Sequence, residues 1–262
     1  MLHFEPLKLT ENNLCKLCWM WSHSNSVHSI PSWLSGIEHF LSNHNRPRLP
    51  RGEFFKKNLA GLQNIFGSVD KVIRATPLTE THLRALYNIL DHTKKTDAIL
   101  WCSYVFAFQG LLRLSEFSNK RMKLKHVTRT SHGLQLTVPF SKTDLTPTNI
   151  QLVQRDDILC PVKAFDNAKR FLSDKPKTPI FSFTKDAFRK ALQFCIKNIN
   201  GPKGVTSHSF RRGGTTALVE AEVPESYIMA HGRWTSQAWR KYIDFGLLQQ
   251  HFPTKMLMLN RS

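Results

Sequence analysis

The stretch Gly110-Leu-Leu-Arg113-Leu-Ser-Glu116-Phe117 places an arginine directly after a strongly apolar segment, residues 98–112. A guanidinium in such surroundings needs an anionic partner, because a charge that is buried without one loses its hydration. Glu116, three residues later, is one candidate, and a bound anion is the other. Arg113 is therefore either half of an internal ion pair or part of an anion-binding site.

A second stretch, Ser207-His208-Ser-Phe-Arg211-Arg212-Gly213-Gly214, combines a histidine, two arginines and two glycines. We predict a helix over residues 207–220, on which His208 and Arg211 share one face because they are three residues apart. The glycine pair allows another backbone or a phosphodiester to approach closely. Taken alone, the His-x-x-Arg pattern is also typical of a solvated basic turn.

A third stretch runs from His231-Gly-Arg233-Trp234 to Tyr242, one of only four tyrosines in the chain. Tyr242 directly follows Arg240 and Lys241, which places two cations next to a phenol. The alternative interpretation is an amphipathic tyrosine at the rim of a domain.

Composition narrows the class of function. Lys and Arg number 37 against 19 Asp and Glu in 262 residues, giving a formal charge of +18. Such an excess is self-repelling unless a polyanion relieves it, which favours nucleic-acid binding over a merely soluble basic protein. No stretch approaches 18 uninterrupted apolar residues, and the N-terminus lacks the pattern of a signal peptide, so we expect neither a membrane span nor secretion.

The five cysteines are scattered, which suits free thiols in a reducing compartment. Cys15 and Cys18 form a Cys-x-x-Cys with His23 and His28 nearby. A structural zinc site needs four ligands, usually as two close pairs, and this pair lies within an apolar helical repeat. We therefore predict that both cysteines belong to the buried face of a helix rather than to a metal site.

The chain divides into a helical segment and a mixed segment. In the first segment, hydrophobic periodicity predicts helices over residues 11–22, 30–41 and 53–66. In the second, helices are predicted over residues 79–91, 98–112, 161–172, 186–199, 207–220, 224–231 and 239–250. The turn Ser131-His132-Gly133 separates two alternating strands, and residues 150–153 form a third strand.

Two further motifs complete the set: Phe140-Ser-Lys142-Thr-Asp144 after the predicted hairpin, and the helix start Leu159-Cys-Pro-Val162. In their order along the chain, the five motifs resemble the tyrosine recombinase (phage integrase) family. They are most similar to the DIRS-type and Crypton-type recombinases of eukaryotic transposons, and the resemblance covers essentially the whole chain. Relatives usually begin with a further helix, so we expect this chain to be part of a longer protein.

The resemblance implies a mainly α fold with a small β-hairpin sheet. Residues 1–75 would form a helical, SAM-like core-binding domain and residues 76–262 the catalytic domain, and together they would clamp duplex DNA. The implied assembly is a homotetramer on two DNA sites, with no metal, cofactor or membrane, located in the nucleus if the host is eukaryotic. The apolar segment after Tyr242 would dock into a neighbouring protomer, or alternatively fold back onto its own domain.

The resemblance also implies the roles of individual residues. Arg113 and Arg211 would be the paired catalytic arginines, and Tyr242 the nucleophile. Lys142 would protonate the leaving 5′ oxygen, and His208 would assist deprotonation of the tyrosine. Two guanidinium forks suit the non-bridging oxygens of a phosphorane, and a covalent phosphotyrosine stores the bond energy, so that rejoining needs no ATP.

One family position does not match directly. Many relatives carry His or Trp nine residues before the tyrosine, where this chain has Arg233. A slip of one residue would bring Trp234 into this place, and His231 is the second choice. Phosphate contacts are expected from seven cations: Arg46, Arg48, Arg51, Lys56, Lys57, Arg212 and Arg233. The alternatives to a recombinase are a catalytically inactive, domesticated DNA-binding protein and a type IB topoisomerase.

Overall fold

The computed structural model describes residues 9–67, 74–139 and 146–248. The chain forms two compact units, Met1–Ile73 and Arg74–Ser262, and the sequence prediction placed this division after residue 75. In the described ranges, no helix has the length and apolarity that a membrane span requires. The predicted hairpin lysine, Lys142, lies outside the described residues, as does most of the apolar C-terminal segment.

The first unit is helical in its described part. It contains α1 (Glu11–Ser22), a 3-10 turn (Val27–Ser29), α2 (Ile30–Asn43) and α3 (Glu53–Gly67). Thr10 caps α1 by accepting a hydrogen bond from the Asn13 amide at 3.2 Å, which satisfies a free donor of the first turn. Both Cys15 and Cys18 lie in the core between the helices, as predicted, and burial raises the pKa of the Cys18 thiol to about 11.

The second unit has a helical body and one small sheet. Its helices are α4 (Glu80–Asn88), α5 (Lys95–Gln109), α6 (Leu114–Phe117), α7 (Pro161–Lys169), α8 (Lys185–Asn198), α9 (His208–Glu220) and α10 (Glu225–Gly232). Two 3-10 helices, Leu124–His126 and Gln237–Tyr242, and a single helical turn over residues 245–248 are also present. The strands β1 (Val127–Thr130), β2 (Gly133–Val138) and β3 (Thr148–Val153) form an antiparallel sheet in the order β1-β2-β3. The predicted fold class, mainly α with a small hairpin sheet, is confirmed.

Helix α5 is the central element of this unit. Its residues are buried almost continuously from Ala98 to Phe108, as expected of a helix that is apolar on every face. The helix ends at Gln109, Gly110 caps it, and Leu111 follows in the left-handed region with φ of 47°. This reversal turns the chain sharply into Arg113, which becomes the N-terminal flanking residue of α6. The apolar segment of residues 98–112 therefore places Arg113 directly after a buried helix.

The last predicted helix differs from the structure. The sequence pattern predicted a helix over residues 239–250, whereas the chain forms a 3-10 helix at Gln237–Tyr242, is extended at Ile243 with ψ of 137°, and is helical again over residues 245–248. Trp239 and Ile243 are both buried against Ile228 of α10, which fixes this turn by packing rather than by helical periodicity.

Candidate functional site

Arg211 lies at the centre of the site, in the first turn of α9, and is completely buried. Its guanidinium donates hydrogen bonds to the carbonyl oxygens of Leu111 and Gly232, the latter at 2.6 Å. Its Nε has no hydrogen-bond partner. Arg211 therefore joins the end of α5 to the end of α10 and keeps one donor unsatisfied.

Arg113 and Arg233 converge on one buried carboxylate. Glu116 is 1% exposed and accepts hydrogen bonds from the Arg113 main-chain amide at 2.8 Å and from the Arg113 guanidinium at 3.0 Å. Oε2, the oxygen that accepts from the main-chain amide, also accepts a bond from the Arg233 guanidinium at 2.9 Å. The internal partner considered for Arg113 is thus present, but it is shared between two arginines.

The resulting charge balance favours an anion. Arg113, Arg211 and Arg233 carry three positive charges, and Glu116 supplies one negative charge. Burial, followed by the repulsion from Arg233 and Arg113, lowers the pKa of Arg211 to about 9, so the group remains protonated at neutral pH. A phosphate held here would supply the missing negative charge and accept charge-assisted hydrogen bonds.

Trp234 and Tyr242 lie over the Arg211 guanidinium. Its central carbon is 4.0 Å from the centroid of the Trp234 ring and 5.2 Å from that of Tyr242, and the two rings are 5.3 Å apart. Both distances from the guanidinium are in the range of cation–π contacts. The predicted nucleophile and one predicted arginine are thus neighbours, although they are 31 positions apart in sequence.

The local backbone explains how Trp234 reaches this position. Arg233 has φ of 58° and ends α10 in the left-handed conformation, which turns the chain back over the helix end. A Cβ at Gly232 would lie 1.7 Å from an atom of the Trp234 ring, so only glycine allows the ring to pack there. Gly232, Arg233 and Trp234 therefore act together as one turn.

The two candidate histidines occupy different surroundings. His208 begins α9 and is exposed, and partial desolvation together with the arginines nearby, Arg211 first, lowers its pKa. His231 is buried, its Nε2 donates to the Gln109 carbonyl at 2.6 Å, and burial lowers its pKa. Trp234, rather than His231, is the candidate for the third position that touches both Arg211 and Tyr242.

Two of the predicted phosphate contacts, Arg212 and Arg233, have buried side chains. The Arg212 side chain is 8% exposed and binds the Lys241 carbonyl and the Asp244 carboxylate, each at 3.0 Å. The Arg233 side chain is 4% exposed and binds Glu116. Both guanidinium groups point into the protein and donate to internal oxygens, so neither is accessible to an external phosphate in this conformation.

The predicted contacts of the first unit are at its surface. Arg46, Arg48 and Lys57 are exposed. Arg51 forms an ion pair with Glu38 at 3.2 Å, and Lys56 forms one with Glu53 at 2.9 Å. Arg46, Arg48, Lys56 and Lys57 are thus exposed, Arg51 is half-buried, and the contact of all five with DNA stays a prediction.

Sequence reasoning overlooked two groups of residues near the site. Asp244 and Thr216 hold the chain beside Tyr242 through hydrogen bonds. An Asp two residues after a tyrosine is not a recognisable sequence motif, so the sequence carries no signal for this contact. The second group is the lysine-rich segment after Glu116, whose signal was visible as Lys120-Arg-Met-Lys-Leu-Lys125. A run of cations spaced by apolar residues is a sign of an extended basic surface.

Comparison of the chain with protein families, with curated protein sequences and with solved structures finds matches only among the solved structures. No protein-family model matches the chain, and no curated protein sequence matches it. Solved structures do match, among them XerH site-specific recombinase bound to palindromic difH substrate in a post-cleavage complex, with a TM-score of 0.65, 16% identity and coverage of 99% of this chain and 74% of that one.

Two other matches have the same character. A lambda integrase dimer bound to a COC′ core site gives a TM-score of 0.62 at 14% identity, covering 93% of this chain and 83% of that one. The Tn1549 transposon integrase in complex with circular intermediate DNA gives 0.56 at 13% identity, covering 90% and 81%. The chain therefore has the fold of tyrosine recombinases and integrases.

Proposed function

We propose that this protein is a site-specific recombinase that cleaves and rejoins duplex DNA through Tyr242. The observation that carries the proposal is the packing of Tyr242 and Trp234 on the buried, positively charged Arg211, next to Arg113 and its shared carboxylate. A phenol, two arginines and an excess of positive charge are what strand transfer at a phosphodiester needs.

In the proposed reaction, the Tyr242 oxygen attacks the phosphorus and loses its proton. The bond from phosphorus to the 5′ oxygen breaks, and the DNA 3′ end becomes joined to the tyrosine as a phosphodiester. A proton passes to the leaving 5′ oxygen, and Lys142 is the proposed donor. Attack by a 5′ hydroxyl of another strand reverses these steps and restores a continuous backbone.

The residues of the site divide this work. Arg113 and Arg211 neutralise the charge that develops on the non-bridging oxygens. His208, whose pKa is lowered, is neutral at pH 7 and accepts the phenol proton. Trp234 holds the Tyr242 ring against the guanidinium, where a phosphate would be bound.

We further propose the DIRS-type or Crypton-type affiliation, a mobile-element origin and a nuclear location in a eukaryotic host. The residues of the five motifs, in their order along the chain, support the affiliation. Assembly as a homotetramer on two duplexes is proposed on the same basis, because exchange of strands requires four nucleophiles.

The test is trapping of a covalent adduct on a duplex with a nick close to the cleavage site. The short fragment that carries the 5′ hydroxyl dissociates after cleavage, so the strand cannot be rejoined and the adduct accumulates. The wild-type protein should form a protein–DNA adduct that survives denaturation, and Tyr242→Phe should bind DNA without forming one. An adduct in the Phe variant would refute the assignment of the nucleophile. Absence of an adduct in the wild-type protein would favour an inactive DNA-binding protein, and relaxation of supercoiled DNA without strand exchange would favour a topoisomerase.

A further inference from the structure

The segment that follows α6 forms an irregular two-stranded ribbon. Residues 119–125 run alongside residues 174–183, and we call this pair the basic ribbon. Main-chain hydrogen bonds join its two sides, from Asn119 to Phe183 at 3.0 Å, from Ile180 to Met122 at 2.9 Å and from Lys125 to Pro176 at 2.9 Å.

The ribbon presents a dense positive charge. It carries six cations, of which Lys123 is half-buried and the others are exposed: Lys120, Arg121, Lys123, Lys125, Lys175 and Lys177. Its one acidic residue, Asp174, is paired with Lys169 at 3.3 Å. Among the described residues, the five lysines form no ion pair with any carboxylate, so the charge is not neutralised internally.

The backbone of the ribbon is held in a costly conformation. Asn119 and Lys120 are both left-handed, with φ of 56° and 61°. Side chains disfavour this region, and such strain persists where the surrounding structure fixes it, often at functional sites. Here the reversal directs the chain away from α6, and the Arg121 guanidinium bonds back to the Ser115 carbonyl at 3.0 Å.

The position of the ribbon relates it to the candidate site. Arg113 precedes α6 and the ribbon begins two residues after it, so a single helical turn, with a rise of ~5.4 Å, lies between Arg113 and the start of the ribbon. Successive phosphates of one DNA strand are about 3.4 Å apart along the duplex axis. We propose that the basic ribbon binds the phosphate backbone of duplex DNA, one or a few nucleotides from the phosphate at Arg113. The identity of the partner as DNA rests on the proposed function.

The test compares two triple variants with equal loss of charge. Lys120→Gln/Lys125→Gln/Lys177→Gln removes ribbon cations, and Lys94→Gln/Lys95→Gln/Lys163→Gln removes exposed lysines elsewhere on the same unit. Duplex affinity is measured by fluorescence anisotropy across a range of salt concentrations. Three lost contacts should reduce the log–log slope by about 2.7, and the control triple should leave the slope near that of the wild type.

A second pair of variants separates charge from folding. Lys120→Gly removes a charge and relieves the left-handed strain, whereas Asn119→Gly relieves the same strain without changing charge. We expect neither variant to lower the Tm, and only Lys120→Gly to weaken DNA binding. Equal slopes for the two triple variants overturn the ribbon proposal even when the wild type forms the covalent adduct. A reduced slope in a protein that forms no adduct supports the ribbon and counts against the catalytic proposal.

An independent observation concerns Arg212, which holds the chain on both sides of Tyr242. Its guanidinium donates to the Lys241 carbonyl and to the Asp244 carboxylate, each at 3.0 Å. Thr216 adds a second link, because its hydroxyl donates to the Arg212 carbonyl at 2.9 Å and accepts from the Asp244 amide at 3.0 Å. The residues immediately before and two after the tyrosine are thus tied to one turn of α9.

The same turn of α9 carries Arg211, directly adjacent in sequence. One short helical segment therefore sets both the anion-binding guanidinium and the main chain of the nucleophile. We infer that Arg212 is a positioning residue, which fixes the main chain around Tyr242 next to Arg211 within the same protomer. This inference rests on the proposed role of Tyr242.

The test uses Arg212→Met, which keeps the stem of the side chain and removes the fork. Misplacement of a reacting group by about 1 Å can cost 10²-fold in rate. We therefore expect the single-turnover rate of adduct formation to fall about 10²-fold, with DNA affinity within threefold of wild type. Arg212→Lys should restore part of the rate. Arg240→Met is the control, because Arg240 is exposed and pairs with Glu225 instead.

Three results would overturn this inference. The first is a rate for Arg212→Met equal to that of Arg240→Met. The second is a loss of DNA affinity as large as the loss of rate, which would restore the direct phosphate contact predicted from sequence. The third is recovery of adduct when Arg212→Met is mixed with Tyr242→Phe, since a clamp within one protomer allows no such rescue. Faster tryptic cleavage after Lys241 in Arg212→Met reports loss of the clamp independently of catalysis.

Discussion

Replacing Glu116 by glutamine removes the carboxylate on which two arginines of the candidate site converge. Glu116 is 1% exposed and accepts three hydrogen bonds, two from Arg113 and one from Arg233. Glutamine has nearly the same shape but carries no charge, and its amide nitrogen would face a donor. The variant therefore leaves Arg113, Arg211 and Arg233 without a compensating negative charge.

The size of the effect follows from the burial of the group. Removal of one partner from a buried ion pair costs about 3–5 kcal/mol, because the remaining charge is left without compensation. In a unit of this size, 1 kcal/mol shifts the Tm by roughly 2–4 °C. We therefore expect Glu116→Gln to lower the Tm of the second unit by about 6–20 °C. Sulfate should restore part of this loss, since an anion at the arginines replaces the missing charge.

Thermal unfolding followed by circular dichroism measures this shift. Asp166→Asn is the control, because Asp166 pairs with Arg129 at the surface, with 45% and 57% of the side chains exposed, and such pairs contribute about 0–1 kcal/mol. A Tm for Glu116→Gln within 2 °C of the control value would refute the argument that one carboxylate balances this cluster.

Three further predictions concern the residues around the site. Gly232→Ala should lower the rate of adduct formation at least about tenfold while retaining DNA binding, because its Cβ displaces the Trp234 ring; an unchanged single-turnover rate would contradict this. The pKa of His231 is lowered by burial, so its contribution to stability is complete above pH 6.5 and declines as the pH falls below that value; denaturant titrations at pH 7.5 and 5.5 should show a smaller decline for His231→Gln than for wild type. The pKa of His208 is also lowered, so the acid limb of the pH–rate profile should lie below pH 6.5 and disappear in His208→Gln; a limb that persists would exclude His208 as the base.

Much of the fold could be predicted because local signals agreed with tertiary packing. The apolar segment before Arg113 forms a buried helix, because a helix that is apolar on every face is stable only in the interior. The alternating residues on both sides of the turn at Gly133 form a hairpin, because alternation places the apolar side chains on one face of the sheet. The candidate site residues Arg113, Arg211 and Tyr242 were predicted from the order of their motifs, and the structure brings Arg211 and Tyr242 together.

The orientation of the other arginines could not be predicted. The sequence shows that Arg212 and Arg233 are cations. The direction in which each side chain points depends on the oxygen atoms to which it donates, and these belong to residues distant in sequence, Asp244 and Glu116. The same limitation explains the break in the last predicted helix. Its periodicity continued past Tyr242, whereas the chain turns at Ile243, where Trp239 and Ile243 pack on Ile228 and Arg212 binds on both sides of the tyrosine.

The covered state of Arg211 connects these features to the order of events on DNA. The guanidinium is inaccessible to solvent while Trp234 and Tyr242 lie over it, so a phosphate reaches it only after the side chains above it move. That exchange replaces cation–π contacts, about 1–2 kcal/mol where desolvated, with stronger charge-assisted hydrogen bonds. The phenol is then released from the guanidinium, while Arg212 still holds the main chain around it. In the proposed reaction, this exchange would free the Tyr242 phenol at the position where a phosphate has just bound, whereas without phosphate the ring lies over Arg211.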